Sequence, residues 1–180
     1  VDGLVLVCAG AGGHAGTLSP FALVSEIKQF FDGPIALSGS IANGASILSA
    51  QALGADFAYI GTRFIASKEA NAEQAYKTML VESSAKDIVY SSLFTGVHGN
   101  YLKPSITNAG LDPDDLEQGD KNKMKFGSEG GSKTKAWKDI WGAGQGLGSI
   151  ADVTDVATIV ARFKTEYDLA LSRLNGLNNQ

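Results

Sequence analysis

Residues 4–16, LVLVCAGAGGHAG, decide the fold class of this 180-residue chain. The apolar, β-branched run over 4–9 predicts a buried strand, and the glycines after it predict a loop. The same arrangement occurs twice more, where apolar runs at 35–38 and 57–60 are each followed by glycine. We therefore predict three buried strands, each ending in a glycine-containing loop.

The segments between these strands have the pattern of helices. Ser19 is a typical N-cap and Pro20 a typical first helical residue. The apolar stripe of this first helix is Phe21, Leu23, Val24, Ile27, Phe30 and Phe31. Further helices are predicted at 45–53 and 68–82. The β-α-β-α-β-α order over 1–82 predicts parallel strands with right-handed crossovers, whose carboxyl ends are the usual ligand site.

The rest of the chain has weaker patterning. We predict an edge strand at 87–90, a polar stretch at 119–135, a solvated insertion around Lys121 to Lys138 and a glycine-rich turn at 142–148. Trp137, Ile140 and Trp141 are expected in the core. A long C-terminal helix is predicted at 153–174, with an apolar side formed by Val156, Ile159, Val160, Phe163, Tyr167, Leu171 and Leu174. This organisation is one domain over 1–180: β-α units at 1–83, an irregular segment at 84–149 and the helical end at 150–180.

Composition excludes several classes of protein. The net charge of −4 argues against nucleic-acid binding, and no apolar run is long enough for a membrane span. A single cysteine, Cys8, forms no internal disulfide, so we expect a reducing compartment, the cytoplasm. Cys8 is expected to be a core residue rather than a nucleophile. The chain has no Cys-x-x-Cys or His-Glu-x-x-His motif, so no metal site is predicted.

His14 is the main candidate for chemistry. It lies among glycines just past the first strand, in a predicted loop, and an imidazole moves protons near neutral pH. A surface histidine in a turn is an equally good interpretation. His98 is interpreted first as a polar loop residue and second as part of a substrate cavity.

Two strand ends have the composition of an anion site. Gly39-Ser40 and Gly61-Thr62 each combine backbone amides with a hydroxyl before a helix. The alternative is that these glycines only permit tight turns. A dinucleotide fingerprint at Gly10-x-Gly12 fits loosely. Arg63 is a candidate either for binding the anion or for anchoring its loop.

The set of motifs resembles the nitronate monooxygenases, formerly called 2-nitropropane dioxygenases. The motifs are GGHAG at 12–16, GSIANG at 39–44, LGAD at 53–56, YIGTRF at 59–64 and GQGLG at 144–148. The motifs do not cleanly separate this family from its relative, the FMN-dependent enoyl-acyl-carrier-protein reductase. Two positions depart from the family pattern: it commonly has Gly-Gly at 39–40, and often a glutamine where this chain has Val7.

The resemblance implies a (β/α)8 TIM barrel that binds FMN, with the three strands here as its sixth to eighth. It implies that His14 is the catalytic residue beside the flavin. The FMN-binding residues would be Gly12, Gly13, Gly39, Ser40, Tyr59, Ile60, Gly61 and Thr62. The implied reaction is oxidation of an alkyl nitronate by O2 to a carbonyl compound and nitrite.

A complete barrel needs about 250 residues, so we expect this chain to be the C-terminal portion of a longer protein with open sheet edges. The partners expected are a small nitronate or nitroalkane, O2 and possible further copies of the chain. Two other functions stay open. One is NAD(P)H-dependent enoyl reduction, and the other is a phosphate-binding module or fragment without activity.

Overall fold

A computed structural model describes residues 1–116 and 139–177. Within these ranges the strands are β1 (Leu4–Val7), β2 (Gly13–His14), β3 (Ile35–Ser38), β4 (Phe57–Tyr59), β5 (Ile88–Ser91) and β6 (Gly99–Leu102). The α-helices are α1 (Pro20–Ile27), α2 (Gly44–Leu53), α3 (Thr62–Ile65), α4 (Gln74–Glu82), α5 (Lys103–Asn108) and α6 (Val156–Leu177). Two 3-10 helices span Ala85–Asp87 and Gln145–Ser149.

The three predicted strands form one parallel sheet in the order β1-β3-β4, which confirms the α/β fold class. One face of this sheet packs against α1 and α2 and forms the first hydrophobic core. That core is composed of Leu6, Cys8, Val24, Ile35, Leu37, Ala50 and Ala55. Because side chains alternate along a strand, the residues between these point to the opposite face.

The opposite face of the parallel sheet carries apolar side chains that are open to solvent. Val5 is 53% exposed and Phe57 is 63% exposed, with Val7 and Tyr59 beside them. Within the described residues, β1 and β4 are the two edges of the sheet. The described part of the chain therefore contains a three-stranded arc and no closed barrel.

The helix ends follow the sequence signals. The Ser19 hydroxyl accepts a hydrogen bond from the Ala22 amide at the start of α1. Asn43 caps α2 by accepting from the Ser46 amide at 2.8 Å. Gly54 ends α2 with a φ of 101°, a left-handed conformation that glycine adopts without steric strain.

A second, antiparallel sheet has the order β2-β6-β5. The predicted strand at 87–90 corresponds to β5 (Ile88–Ser91), which lies at the edge of this sheet. The prediction that His14 lies in a loop is wrong, because His14 pairs with Gly99 in β2 and β6. Since β2 has two residues and β6 begins with glycine, neither has the apolar alternation that would have predicted a strand.

Two helices differ from their predicted form. α4 begins at Gln74 rather than at residue 68, because Ser67 forms a β-bridge with Thr154 and the Lys68 amide donates to the Thr154 carbonyl. The helix α1 ends at Ile27, before the predicted stripe residues Phe30 and Phe31. Val24 is buried as expected, whereas Phe21 in α1 and Phe30 beyond it are exposed.

The C-terminal helix α6 packs along α2. Ile159 and Phe163 are buried there, but the predicted apolar side is only partly used, because Val160, Leu171 and Leu174 are exposed. Gly44 allows the close approach of the two helices, since a Cβ at this position would lie 2.2 Å from the Phe163 carbonyl oxygen.

Ile140 is buried, and Trp141 packs in a second core against Tyr76 with ring centroids 4.9 Å apart. The polar stretch at 119–135, the insertion around Lys121 to Lys138, and Trp137 lie outside the described residues. In the described ranges, none of the helices combines the length and hydropathy that a bilayer crossing demands.

Candidate functional site

The loops after β1, β3 and β4 meet in one cleft at the carboxyl ends of the parallel strands. The segment that contains the 3-10 helix Gln145–Ser149 forms its fourth side. The cleft is lined by Gly10, Ala11, Gly12, Ser38, Gly39, Ser40, Ile41, Ala42, Tyr59, Gly61, Thr62, Gly144 and Gly146. No charged side chain is among these lining residues, so peptide groups and hydroxyls determine the polarity of the cleft.

Backbone hydrogen bonds hold the loops in register. The Gly10 carbonyl oxygen accepts from the Ser40 amide at 3.2 Å and from the Gln145 amide at 2.9 Å. The Gly10 carbonyl thus joins both the second loop and the residues 142–148, predicted as a turn, to the first loop through main-chain atoms.

Gly12 is required by the close approach of two backbone segments. A Cβ at Gly12 would lie 2.8 Å from the Gly144 nitrogen and 3.1 Å from Thr62 Oγ1. Contacts of this length force a displacement of the neighbouring chain. Any side chain at this position therefore disturbs the walls of the cleft.

The Thr62 hydroxyl is oriented by a backbone group. Thr62 Oγ1 accepts from the Gly144 amide at 2.9 Å. A hydroxyl has one proton and two lone pairs, so the Thr62 proton is directed away from that amide. This arrangement makes Thr62 a suitable donor to an anionic oxygen in the cleft.

Ser40 has an unusual backbone conformation. Its φ is 56°, and no other non-glycine residue in the described part of the chain has a positive φ. The left-handed region is strained for residues that have a Cβ. Glycine at this position would adopt the same φ without strain.

Most of the sequence-predicted FMN-binding residues come together in the cleft: Gly12, Gly39, Ser40, Tyr59, Gly61 and Thr62. Gly13 lines an adjoining pocket that also includes Tyr76 and Gly142. Ile60 is half-buried and lines neither cavity. His14 follows Gly13 directly but is itself outside the lining of both.

The second sheet holds His14 at the edge of this region. His14 is an exposed residue, and its Nε2 lies 2.9 Å from Thr95 Oγ1. The neighbouring Asn100 is buried and donates from Nδ2 to the Ala11 carbonyl at 2.7 Å. The position of His14 is thus determined by a hairpin that comes from much later in the chain.

Sequence reasoning missed Thr95, Asn100 and the lining glycines Gly144 and Gly146 as parts of this site. The glycine-rich motif at 144–148 was a usable signal. For Thr95 and Asn100 the sequence offers none, since both come close to His14 only through the pairing of β2 with β6.

Arg63 anchors its loop rather than facing the cleft. It is 2% exposed and donates to the Ala66 carbonyl and to the backbone and side chain of Asp152. Asp152 also accepts two hydrogen bonds from Arg162. The hydrogen bonds from Arg162, together with the charges of both arginines, hold the pKa of Asp152 below its ordinary value.

Cys8 and His98 do not join the cleft. Cys8 is fully buried and its Sγ donates to the Ser38 carbonyl at 2.9 Å, as expected for a core residue. Burial raises the pKa of its thiol. His98 stacks on Tyr90, with ring centroids 5.0 Å apart, in a separate hollow beside Pro113 and Asp114. Across residues 1–116 and 139–177, the acidic, histidine and cysteine side chains form no group of three suited to a metal ion.

The chain belongs to the nitronate monooxygenase family, whose model matches residues 1–162. The family is one of flavoproteins. The match confirms the resemblance seen in the sequence motifs.

Curated relatives match the chain at about 30% identity. A nitronate monooxygenase of Paraburkholderia phytofirmans is 31% identical over 122 residues, covering 63% of this chain and 33% of that protein. A putative monooxygenase of Mycobacterium tuberculosis is 30% identical over 115 residues, covering 63% of this chain and 31% of that protein. The chain therefore spans about a third of the length of the curated relatives it matches.

Solved structures share the fold over nearly the whole chain. FabK of Thermotoga maritima matches with a TM-score of 0.73 and 23% identity, covering 98% of this chain and 58% of that one. Nitroalkane oxidase of Streptomyces ansochromogenes matches with a TM-score of 0.71 and 20% identity, covering 97% of this chain and 54% of that one. At these identities the likeness concerns the fold alone.

Proposed function

We propose that the protein containing this chain is an FMN-dependent oxidoreductase that uses O2 to convert alkyl nitronates into a carbonyl compound and nitrite. The observation that carries the proposal is the convergence of three strand-end loops on a cleft walled by peptide groups and hydroxyls. Membership of the nitronate monooxygenase family supports the choice of reaction.

The residues of the cleft fit the phosphate of FMN. The Thr62 hydroxyl accepts a hydrogen bond from the Gly144 amide, so its proton is available to an oxygen of the phosphate. Ser40 is exposed and its amide donates to the Gly10 carbonyl, so Ser40 would contact the phosphate through its hydroxyl. The glycines leave parts of the walls without side chains, which lets main-chain dipoles approach the anion there.

The pocket that adjoins the phosphate cleft fits the less polar part of the cofactor. It shares Gly12, Tyr59 and Thr62 with the cleft and extends to Ile65 and Tyr76. FMN, when bound, supplies the electron transfer of the reaction. The contribution of the chain is to hold the cofactor and to orient the anionic substrate.

His14 is proposed as the catalytic residue. Its exposed imidazole follows directly on Gly13, which lines the pocket beside the cleft. From there it would hydrogen-bond to a nitronate oxygen or take the α-proton of a neutral nitroalkane. Replacement His14→Asn should lower turnover by roughly 10²-fold or more if His14 is an acid or base.

Thr62 offers the sharpest test of the cofactor site. In the full-length protein, Thr62→Val removes the hydroxyl and keeps the shape, whereas Thr62→Ser keeps the hydroxyl. Because a hydrogen bond to a charged group contributes about 1.5–3 kcal/mol, Thr62→Val should weaken FMN binding by about 10-fold to 100-fold. Thr62→Ser should bind nearly as the parent does. Equal affinity for all three, measured by quenching of flavin fluorescence, contradicts the proposed site.

The reaction is tested with propionate 3-nitronate as substrate and with O2 uptake and nitrite as readouts. Nitrite release supports the proposal. An intact flavin spectrum without nitrite release contradicts the proposed reaction. In that case, rapid bleaching of the flavin by NADH under anaerobic conditions identifies a reductase instead. A product that retains no flavin is the result expected for a binding module or an inactive fragment. A cytoplasmic location and self-association of the chain remain predictions from sequence.

A further inference from the structure

We propose that Asn100 is a positioning residue of the cofactor site: it holds the peptide between Ala11 and Gly12 so that the Gly12 amide donates to the phosphate of FMN. The inference deepens the proposed function and rests on its cofactor site. Asn100 is 2% exposed, and its Nδ2 donates to the Ala11 carbonyl oxygen at 2.7 Å. Since a carbonyl oxygen only accepts, the nitrogen of the side-chain amide is the atom that faces it.

The hydrogen bond from Asn100 determines where the Gly12 amide points. Across the described ranges no peptide bond is cis, and in a trans peptide the C=O and N–H groups point in opposite directions. With the Ala11 oxygen directed at Asn100, the Gly12 N–H is directed away from Asn100. Ala11 is buried and Gly12 is exposed in the lining of the cleft. The N–H therefore lies on the open side of this peptide.

The Gly12 amide is available to a ligand. Within residues 1–116 and 139–177 it donates to no other group, although the residues on both sides of it are engaged. The Ala11 amide donates to the Cys8 carbonyl at 3.3 Å, and Gly13 pairs with Asn100 in the antiparallel sheet. The turn thus leaves one main-chain donor for the cleft.

This donor lies beside the Thr62 hydroxyl, to which the proposed function assigns the phosphate. A Cβ built on Gly144 would lie 3.1 Å from the Gly12 nitrogen and 3.4 Å from Thr62 Oγ1. The two donors therefore flank the same space at the wall of the cleft. An anionic oxygen bound by the Thr62 hydroxyl is close enough for the same phosphate to accept from the Gly12 amide.

Glycine at position 12 makes an external constraint on this peptide necessary. A peptide that precedes glycine flips at little steric cost, because glycine tolerates a wide range of φ. The flip would turn the Gly12 N–H out of the cleft and the Ala11 oxygen into it, where the oxygen would repel a phosphate. It would also leave the buried amide of Asn100 without its acceptor, which is unfavourable. Asn100 therefore stabilises the orientation that binds an anion.

The backbone of Asn100 is itself fixed on two sides. Asn100 pairs with Gly13, and its carbonyl oxygen accepts from the Ala143 amide at 3.2 Å. One buried residue thus joins the first glycine loop, the second sheet and the segment that contains Gly144. Because Asn100 acts through the Ala11–Gly12 peptide, it does not itself touch the cofactor.

The first measurement compares two ligands in the full-length protein prepared without flavin. Asn100→Leu and Asn100→Ala both remove the donor, and they differ in volume. Each should weaken FMN binding by about 10-fold to 100-fold, as expected for one hydrogen bond to a charged group. Each should bind riboflavin, which lacks the phosphate, as the parent does. Ser105→Ala is the control, since Ser105 is 1% exposed and its hydroxyl bonds to Leu102 and Trp141; it should leave both affinities unchanged.

The second measurement observes the Gly12 amide by NMR. Labelling with 13C-carbonyl alanine and 15N-glycine selects the amides of glycines that follow alanine, and Ala11→Ser identifies the Gly12 signal by its loss. In the FMN-loaded parent and in Ser105→Ala, we expect a coupling between the Gly12 15N and the 31P of FMN across the hydrogen bond. Asn100→Leu and Asn100→Ala, saturated with FMN, should lose this coupling.

An FMN-loaded parent without the coupling overturns the inference, even if the Asn100 variants fail to fold. Variants that keep the coupling, or that lose FMN and riboflavin affinity equally, also overturn it, because Asn100 then has a structural role only. Neither readout needs turnover. The expected coupling and ligand selectivity without nitronate oxidation therefore support the role of Asn100 while removing the proposed reaction.

Discussion

Replacement of Ser40 by glycine should stabilise the protein and weaken its binding of FMN. Ser40 has a φ of 56°, and a residue with a Cβ pays about 1–2 kcal/mol for this conformation. Glycine removes that strain but brings about 0.5–1 kcal/mol of additional chain entropy to the unfolded state. The expected net effect is an increase of about 0.5–1 kcal/mol in the free energy of unfolding of the flavin-free protein.

The same substitution deletes the Ser40 hydroxyl. If that hydroxyl binds the phosphate, its loss should weaken FMN binding by about 10-fold to 100-fold, as expected for one hydrogen bond to a charged group. Ser40→Ala is the matched control, because it removes the hydroxyl and retains the Cβ that causes the strain. It should lose the same FMN affinity without any gain in stability.

Urea unfolding of the flavin-free proteins gives the stabilities, and fluorescence titration gives the FMN affinities. If Ser40→Gly is no more stable than Ser40→Ala, the argument from backbone strain is refuted. If both variants bind FMN as tightly as the parent, the hydroxyl does not contact the phosphate. The two readouts are independent, so either part of the reasoning can fail alone.

Gly12→Ala should reduce FMN occupancy at least tenfold, as measured by the flavin absorbance of the purified protein, because its Cβ would lie 2.8 Å from the Gly144 nitrogen. Asp152→Asn should lower stability at pH 7. The folded pKa of Asp152 is depressed below 3.8, so the stability that its carboxylate contributes is present above about pH 4 and is lost as the pH falls through the folded pKa. Asp152→Asn lacks this carboxylate and should therefore lose less stability between about pH 5 and 2 than the parent does. Acid titrations followed by circular dichroism measure the difference. Cys8 should resist thiol reagents in the folded protein, because it is fully buried and its pKa is raised; peptide mapping that finds Cys8 labelled under native conditions would contradict this.

The parallel sheet and its strand-end loops were predictable because they depend on local patterns. Apolar runs of four residues, a serine before a proline and a glycine after a helix each have a local physical cause. The structure has β1, β3 and α2 where these signals place them, and α1 begins at the predicted proline. The convergence of the glycine loops followed from the parallel order alone, since the carboxyl ends of parallel strands share one edge.

The antiparallel sheet was only partly predictable. The pairing of His14 with Gly99 joins residues far apart in the chain, and no local pattern reports such a contact. For the same reason Thr95 was not identified, although it contacts the side chain on which the functional prediction depends. The length of α4 was overestimated because the bridge between Ser67 and Thr154 is also a long-range contact.

The walls of the cleft consist largely of peptide groups, which every amino acid has in common. Sequence drift that replaces surrounding side chains therefore leaves the shape of the cleft intact, provided that the crowded glycines such as Gly12 and Gly144 are kept. A site of this kind tolerates wide divergence between relatives but has few routes to a new ligand, because only its few lining side chains, such as Ser40, Tyr59 and Thr62, can be exchanged to alter its contacts.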